Sequence, residues 1–166
     1  SDVYKRQSNS VVICGANTAP VWSWTEPVLI EEDGSVEVDL YSKMYDAEHA
    51  PSQIVYSVVT NTGSEQVSAS ITGQMITLAA VEENFNGDAA SDITVNAYDG
   101  GYNVPVTFSV NITPVNDAPV AANDTFGVDE GGTFVSDLSS GLLSNDLDVD
   151  EDDLVENVKT CAVVEH

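Results

Sequence analysis

Positive charge is nearly absent from this sequence. Four lysines and arginines stand against 28 aspartates and glutamates, a formal net charge of −24. Such a chain repels phosphate backbones and anionic bilayer surfaces, which excludes nucleic acid and acidic membranes as partners. Cysteine is scarce too. Its two copies, Cys14 and Cys161, fall in different repeat units as parsed below, so an intradomain disulfide is not expected, and two cysteines make no metal site. Two histidines, His49 and His166, are too few to suggest zinc. No apolar run reaches the ~18 residues of a spanning helix. An initiator Met and a signal-peptide pattern are both missing, so the chain is expected to be a fragment of a longer one.

Helical periodicity is also lacking. Hydrophobic residues make up 42% of the chain, enough for a core, and they recur with period two. An opening strand is predicted over 21–30. In 35–41, Val36, Val38 and Leu40 share a face. Ile54, Tyr56 and Val58 do so in 52–60. The stretch 65–70 is short and polar, suited to a sheet edge. Ile76 and Leu78 mark 74–80, and Ile93, Val95 and Ala97 mark 92–98. Val104, Val106, Phe108, Val110 and Ile112 line one side of 103–113. Turn signals separate these runs at Asn61-Thr62-Gly63, Asn86-Gly87 and Asp99-Gly100-Gly101. The pattern predicts an all-β, seven-stranded Greek-key sandwich. Burial at ~25 cal/mol per Å² can hold such a unit without disulfides.

The chain repeats itself. Ser10-Val11-Val12-Ile13-Cys14-Gly15-Ala16-Asn17-Thr18-Ala19-Pro20-Val21 aligns with Ser109-Val110-Asn111-Ile112-Thr113-Pro114-Val115-Asn116-Asp117-Ala118-Pro119-Val120, identical at seven of twelve positions at an offset of 99. Glu32-Asp33-Gly34-Ser35-Val36 then matches Glu130-Gly131-Gly132-Thr133-Phe134 at an offset of 98. The parse is a tail of a preceding unit over 1–16, one complete unit over 17–115, and the first half of the next over 116–166. Ser1 to Gln7 fits no part of the repeat and reads as non-native. The chain is thus expected to be a window cut from a tandem array. At its joint, Pro114 and Pro119 fix φ and remove two donors, so no strand ladder runs through. Asn116 and Asp117 sit between them on a stiff tether.

The acids are not evenly spread. Asp146, Asp148, Asp150, Glu151, Asp152, Asp153 and Glu156 place seven carboxylates in eleven positions. Such a block repels itself unless cations neutralise it. In the complete unit, Glu31, Glu32 and Asp33 precede the second strand, Asp46 and Glu48 follow it, and Asp99 ends the 92–98 strand. Asp148-Val149-Asp150 takes the place of Asp46-Ala47-Glu48 in the next unit. Carboxylates two apart on a loop can aim oxygens one way, as hard cations such as Ca²⁺ require. The block is not an EF-hand: Glu151 stands where its loop needs Gly, Asn157 where it needs Glu, and no helical pattern flanks it.

Val115-Asn116-Asp117-Ala118-Pro119 resembles the interdomain signature of bacterial cadherin-like tandem repeats, the Ig-like β-sandwich modules of large surface and adhesin proteins. Asn84-Phe85-Asn86-Gly87, Ala97-Tyr98-Asp99-Gly100 and Gly141-Leu142-Leu143-Ser144-Asn145-Asp146-Leu147-Asp148-Val149-Asp150 resemble further motifs of that family. The resemblance covers nearly everything after residue 16. It implies Ca²⁺ at the joints between units: Asn116, Asp117, Asp148 and Asp150 at the downstream joint with Glu31 or Glu32, and Asp46, Glu48, Asp99 and Asn17 at the upstream one. Two departures are visible. Thr18 replaces the aspartate found at Asp117, and the family's Asp-Arg-Glu motif is missing near Glu82, Glu83 and Asn84.

The expected function is a Ca²⁺-rigidified extracellular spacer or adhesion module, its partners the neighbouring repeats and a cell-surface glycan or protein. Two alternatives stay open. Trp22-Ser23-Trp24 fits either a sugar-stacking platform or a buried strand face, so a carbohydrate- or protein-binding module is one. The other is a non-catalytic accessory domain of a secreted hydrolase. Catalysis by the chain itself is not expected. The acids track repeat ends rather than one cleft, and no nucleophile–histidine order, phosphate loop or Cys/His pair is present.

Overall fold

The structure, a computed structural model, describes residues 15–132 and 141–151. The expected tail of a preceding unit over 1–16, all but its last two residues, lies outside them, as do Cys14, Cys161, His166 and the acids Asp152, Asp153 and Glu156. The chain divides after Pro114 into two units, and each is taken by itself.

The first unit is built of strands: β1 (Val21–Trp22), β2 (Val28–Glu31), β3 (Ser35–Asp39), β4 (Met44–Tyr45), β5 (Val55–Asn61), β6 (Val67–Thr72), β7 (Met75–Ala80), β8 (Gly87–Tyr98) and β9 (Asn103–Thr113). Among the described residues its helical turns are two short 3-10 segments, Leu40–Lys43 and Pro51–Gln53. Four strands form one sheet in the order β2-β9-β8-β5 and three form another in the order β3-β7-β6, while β1 and β4 make a two-residue ladder of their own. All pairings are antiparallel except β2 with β9.

The alternation read from the sequence sets the core. Ile93, Val95 and Ala97 of β8 are fully buried, as are Val110 of β9 and Ile76 and Leu78 of β7. These side chains come from both large sheets and merge with Leu40, Ile54, Tyr56, Val67 and Ile112 into one apolar cluster, the arrangement of two layers sharing a core. The polar stretch at β6 is indeed a sheet edge.

Three departures have local causes. The opening strand breaks in two because Pro27 has no N–H for a ladder; Ser23 instead donates to Lys43 O at 2.8 Å, and pairing resumes at Val28 against Val110. β3 stops at Asp39, whose carboxylate caps the following 3-10 turn by accepting from Tyr41 N at 3.0 Å. Leu40 still reaches the core from that turn. β8 starts five residues early, with an irregular register between Gly87 and Ser91 that carries no alternating pattern. Counting β1 and β4, the strands exceed the seven expected. One turn glycine is sterically required: a Cβ on Gly63 would lie 2.0 Å from Ala90 O.

In the second unit the described residues are loops and turns tied by one antiparallel bridge, Val120 with Leu147, whose two backbone hydrogen bonds measure 2.7 and 3.0 Å. Ala122 N adds a bond to Asp146 Oδ1 at 2.8 Å.

Candidate metal centre

Three segments converge at one end of the first unit: the lead-in to β1, the loop after β4, and the turn joining β8 to β9. Asp46 folds the middle one. Its Oδ1 accepts from Glu48 N at 2.9 Å, His49 N at 2.7 Å and His49 Nδ1 at 3.0 Å. Asp99 folds the last one, its Oδ1 accepting from Gly101 N and Tyr102 N, both at 2.7 Å. Each aspartate thereby spends one oxygen on its own turn and turns the other inward. Asn17 reaches this space from the lead-in and donates Nδ2 to Asp99 Oδ2 at 3.2 Å. Gly101 makes room for it, since a Cβ there would stand 2.7 Å from Asn17 Nδ2.

Both aspartates are buried, Asp46 at 6% and Asp99 at 4% exposure. No lysine or arginine pairs with either among the described residues. Asp46 Oδ2 and Asn17 Oδ1 are buried without a hydrogen-bond partner among those residues. An ionised carboxylate oxygen closed off from water and left unmatched is costly. A cation between Asp46 and Asp99 would remove that cost. Ligating atoms of Asp46, His49 and Asp99 lie within 4.8 Å of one another. That spacing fits one ion at ~2.0–2.6 Å from each donor. Burial pushes the Asp99 carboxyl up, but the Tyr102 and Gly101 N–H groups, the Asn17 amide and nearby His49 outweigh it and hold Asp99 below the usual carboxylate range.

Of the residues expected at the upstream joint, Asn17, Asp46 and Asp99 meet. Glu48 is exposed and engaged at the rim, where its Oε2 accepts from Thr18 N at 3.2 Å and Thr18 Oγ1 at 2.7 Å. Sequence reasoning missed His49. Its sign is its position three residues after Asp46, the reach of an Asx turn.

Of the downstream set, Glu31 and Glu32 belong to the first unit. Glu31 is exposed at the end of β2; Glu32 is buried and accepts from Asn86 Nδ2 at 3.3 Å. The others belong to the second unit. Asp150 N donates to Asp148 Oδ1 at 2.9 Å, and Asp117 N to Asp150 Oδ2 at 2.5 Å, so these three aspartates gather. Asn116 turns its amide to Asp117 O at 2.8 Å.

Both tryptophans pack inward. Trp24 stacks on Phe108 at 3.8 Å between ring centroids and 7° between planes, and Trp22 tilts against Tyr56 at 6.2 Å. Their indole N–H groups are spent on Glu26 O and Val104 O, each at 2.8 Å. An open groove of about 500 Å³ runs beside Trp24, lined also by Glu26, Asp88, Ser109 and Asn111.

No protein-family model matches this chain, and no curated protein does. Among solved structures it is similar to an endo-fucoidan hydrolase of glycoside hydrolase family 107, MfFcnA4, at 17% identity and a TM-score of 0.43 over 61% of this chain. A point variant of that hydrolase gives 16% identity and a TM-score of 0.42 over 58%. The chain spans 14% of the length of either. Values this low bear on neither the fold nor the activity of this chain. No helix among the described residues is long and apolar enough to cross a membrane.

Proposed function

We propose that this chain is part of an extracellular array of cadherin-like units, seven-stranded Greek-key sandwiches apart from the short β1–β4 ladder, stiffened by Ca²⁺ at their joints. The observation that carries this reading is the buried pair Asp46 and Asp99, whose inward side offers an unmatched Asp46 oxygen and an unmatched Asn17 carbonyl. A folded unit keeps such a pair where a cation completes it.

A second feature supports the repeat itself. Asp46 Oδ1 accepts from Glu48 N at 2.9 Å, and Asp148 Oδ1 accepts from Asp150 N at 2.9 Å. Glu48 then binds the backbone N–H of Thr18, as Asp150 binds that of Asp117. Thr18 and Asp117 are the residues aligned at an offset of 99. Two loops of different sequence thus tie the same lead-in position in the same way.

The function is mechanical. Without the ion, neighbouring acidic ends repel and the joint is a hinge. With it, bridging from both sides fixes the angle. Extracellular modules of this class bind Ca²⁺ at ~10⁻⁴–10⁻³ M, which keeps them loaded outside the cell. No catalytic step is assigned to the chain. The groove beside Trp24 favours a second reading, a site for a neutral glycan, with polar side chains lining it together with the indole.

Calcium titration by calorimetry on this chain, with small-angle scattering in calcium and in chelator, tests the main reading. Saturable binding that loses one site in Asp46→Asn and another in Asp117→Ala, with extension on loading, is the expected result. Equal scattering in both buffers and no heat of binding would end it.

A further inference from the structure

His49 brings a donor that calcium does not favour. Its ring nitrogen Nδ1 lies 3.0 Å from Asp46 Oδ1, and its side chain is 20% exposed against 0% for Asp46. Ca²⁺ takes six to eight oxygens. The inward-facing donors of the first unit fall short of that number. Asp46 Oδ1 and Asp99 Oδ1 are already committed to backbone N–H groups. Glu48 Oε2 is committed to Thr18. What remains unmatched is Asp46 Oδ2 and Asn17 Oδ1; Asp99 Oδ2, held only by the Asn17 amide, and a His49 nitrogen complete the set. Three oxygens and one imidazole nitrogen are a four-donor set, the number and mixture that zinc accepts and that imidazole steers toward first-row transition ions.

We propose that Asp46, His49 and Asp99, with the Asn17 amide oxygen, form a binding site for a zinc-type divalent transition ion that this unit completes without its neighbour. The proposal deepens the reading of a cation-holding unit end and rests on the same cluster. It differs in the ion and in the donor that selects it. Two observations beyond the clustering of acids point to a ligand: the Asp46 side chain is fully buried with Oδ2 unmatched among the described residues, and the Asn17 carbonyl oxygen is buried and unmatched there as well. The His49 ring turns from Asp46 Oδ1 toward the space between the carboxylates. Asp46 Oδ1 keeps its two backbone donors, which then hold the liganding carboxylate in place as outer-shell bonds do elsewhere.

The joint reading and this one separate in experiment. Calorimetry on the full chain would be run with Zn²⁺ and with Ca²⁺, and Co²⁺ would report coordination through its visible absorption. The wild type would be compared with His49→Gln, Asp46→Asn and His166→Gln, each first checked for folding by thermal melting in chelator. The expected result is tight Zn²⁺ binding and a four-coordinate Co²⁺ spectrum. His49→Gln should weaken Zn²⁺ binding by at least about 10- to 100-fold and abolish that spectrum. Asp46→Asn should remove both ions from the first unit, and His166→Gln should change neither. Zn²⁺ binding that is equal in wild type and His49→Gln, or absent from both, overturns the proposal. If Ca²⁺ still binds and stiffens the chain in that case, the joint reading stands alone. If Zn²⁺ binds through His49 and Ca²⁺ produces no heat, the joint reading falls and this one stands.

Discussion

Thr18 gives Glu48 two hydrogen bonds, one from its backbone N–H at 3.2 Å and one from its hydroxyl at 2.7 Å. The hydroxyl neutralises nothing, but it keeps an exposed carboxylate in place beside the Asn17–Asp99 contact. At the aligned position of the second unit, Asp117 makes the backbone bond to Asp150 and carries a charge instead of a hydroxyl.

Thr18→Asp exchanges one arrangement for the other. In chelator the new carboxylate faces Glu48 with the hydroxyl donor gone and only the backbone N–H kept, and the first unit should lose about 0.5–1 kcal/mol, a small effect because both groups are solvated. With calcium the added charge should tighten binding. Melting temperatures with and without the ion read both effects, which should have opposite signs.

Asp46→Asn separates the cost of the site from its use. Asn retains the Oδ1 acceptor for Glu48 N and His49 N, and it removes a buried charge whose second oxygen has no donor. In chelator the variant should be more stable than the wild type by about 1–3 kcal/mol. Saturating cation should reverse the order. Urea unfolding in the two buffers checks this.

Gly101→Ala tests the close approach of Asn17. A Cβ would press on Asn17 Nδ2 from 2.7 Å. That amide is the far end of a half-buried side chain, held by one hydrogen bond to Asp99, so it can move and the fold should survive. The displaced carbonyl should cost about tenfold in cation affinity, measured by calorimetry.

Trp24 distinguishes core from platform. Its ring stacks on buried Phe108, so Trp24→Ala should lower stability by about 1–3 kcal/mol in the absence of any sugar. Denaturant midpoints read this. A variant as stable as the wild type would mean that the indole is held ready for a ligand rather than for the core.

The strands were legible because period two is a direct record of which side chains a sheet buries. Val104 through Ile112 alternate along the whole length of β9, and its bounds are those expected. The split of the opening strand was harder to read, since Trp22 and Trp24 keep the alternation while Pro27 withdraws the backbone that would have used it. Asp46 and Asp99 could be chosen because each is an acid at a strand end, and Asn17 because it matches Asn116 in the repeat, whose joint motif resembles the cadherin-like signature. His49 could not, because its part depends on how Asp46 folds its own loop, and that is set by hydrogen bonds three residues apart rather than by composition.

The acid limb of the stability curve should report Asp99. Its carboxyl titrates below the ordinary value of 3.8 because Tyr102 N, Gly101 N, the Asn17 amide and His49 together outweigh the burial that pushes it up. A carboxyl with a lowered folded pKa binds protons less readily in the folded chain than in the unfolded one. Its stabilisation is therefore complete above the unfolded value and disappears as pH falls through the folded one. In chelator, the melting temperature of the wild type should fall below about pH 4. Asp99→Asn keeps an Oδ1 acceptor for the two turn N–H groups but has no proton to gain. Its melting temperature should be lower than that of the wild type at neutral pH, and its decline on acidification shallower. If the two proteins lose stability in parallel from pH 5 to pH 2, the acid sensitivity belongs to other carboxylates, and the hydrogen bonds to Asp99 do not favour its charged form.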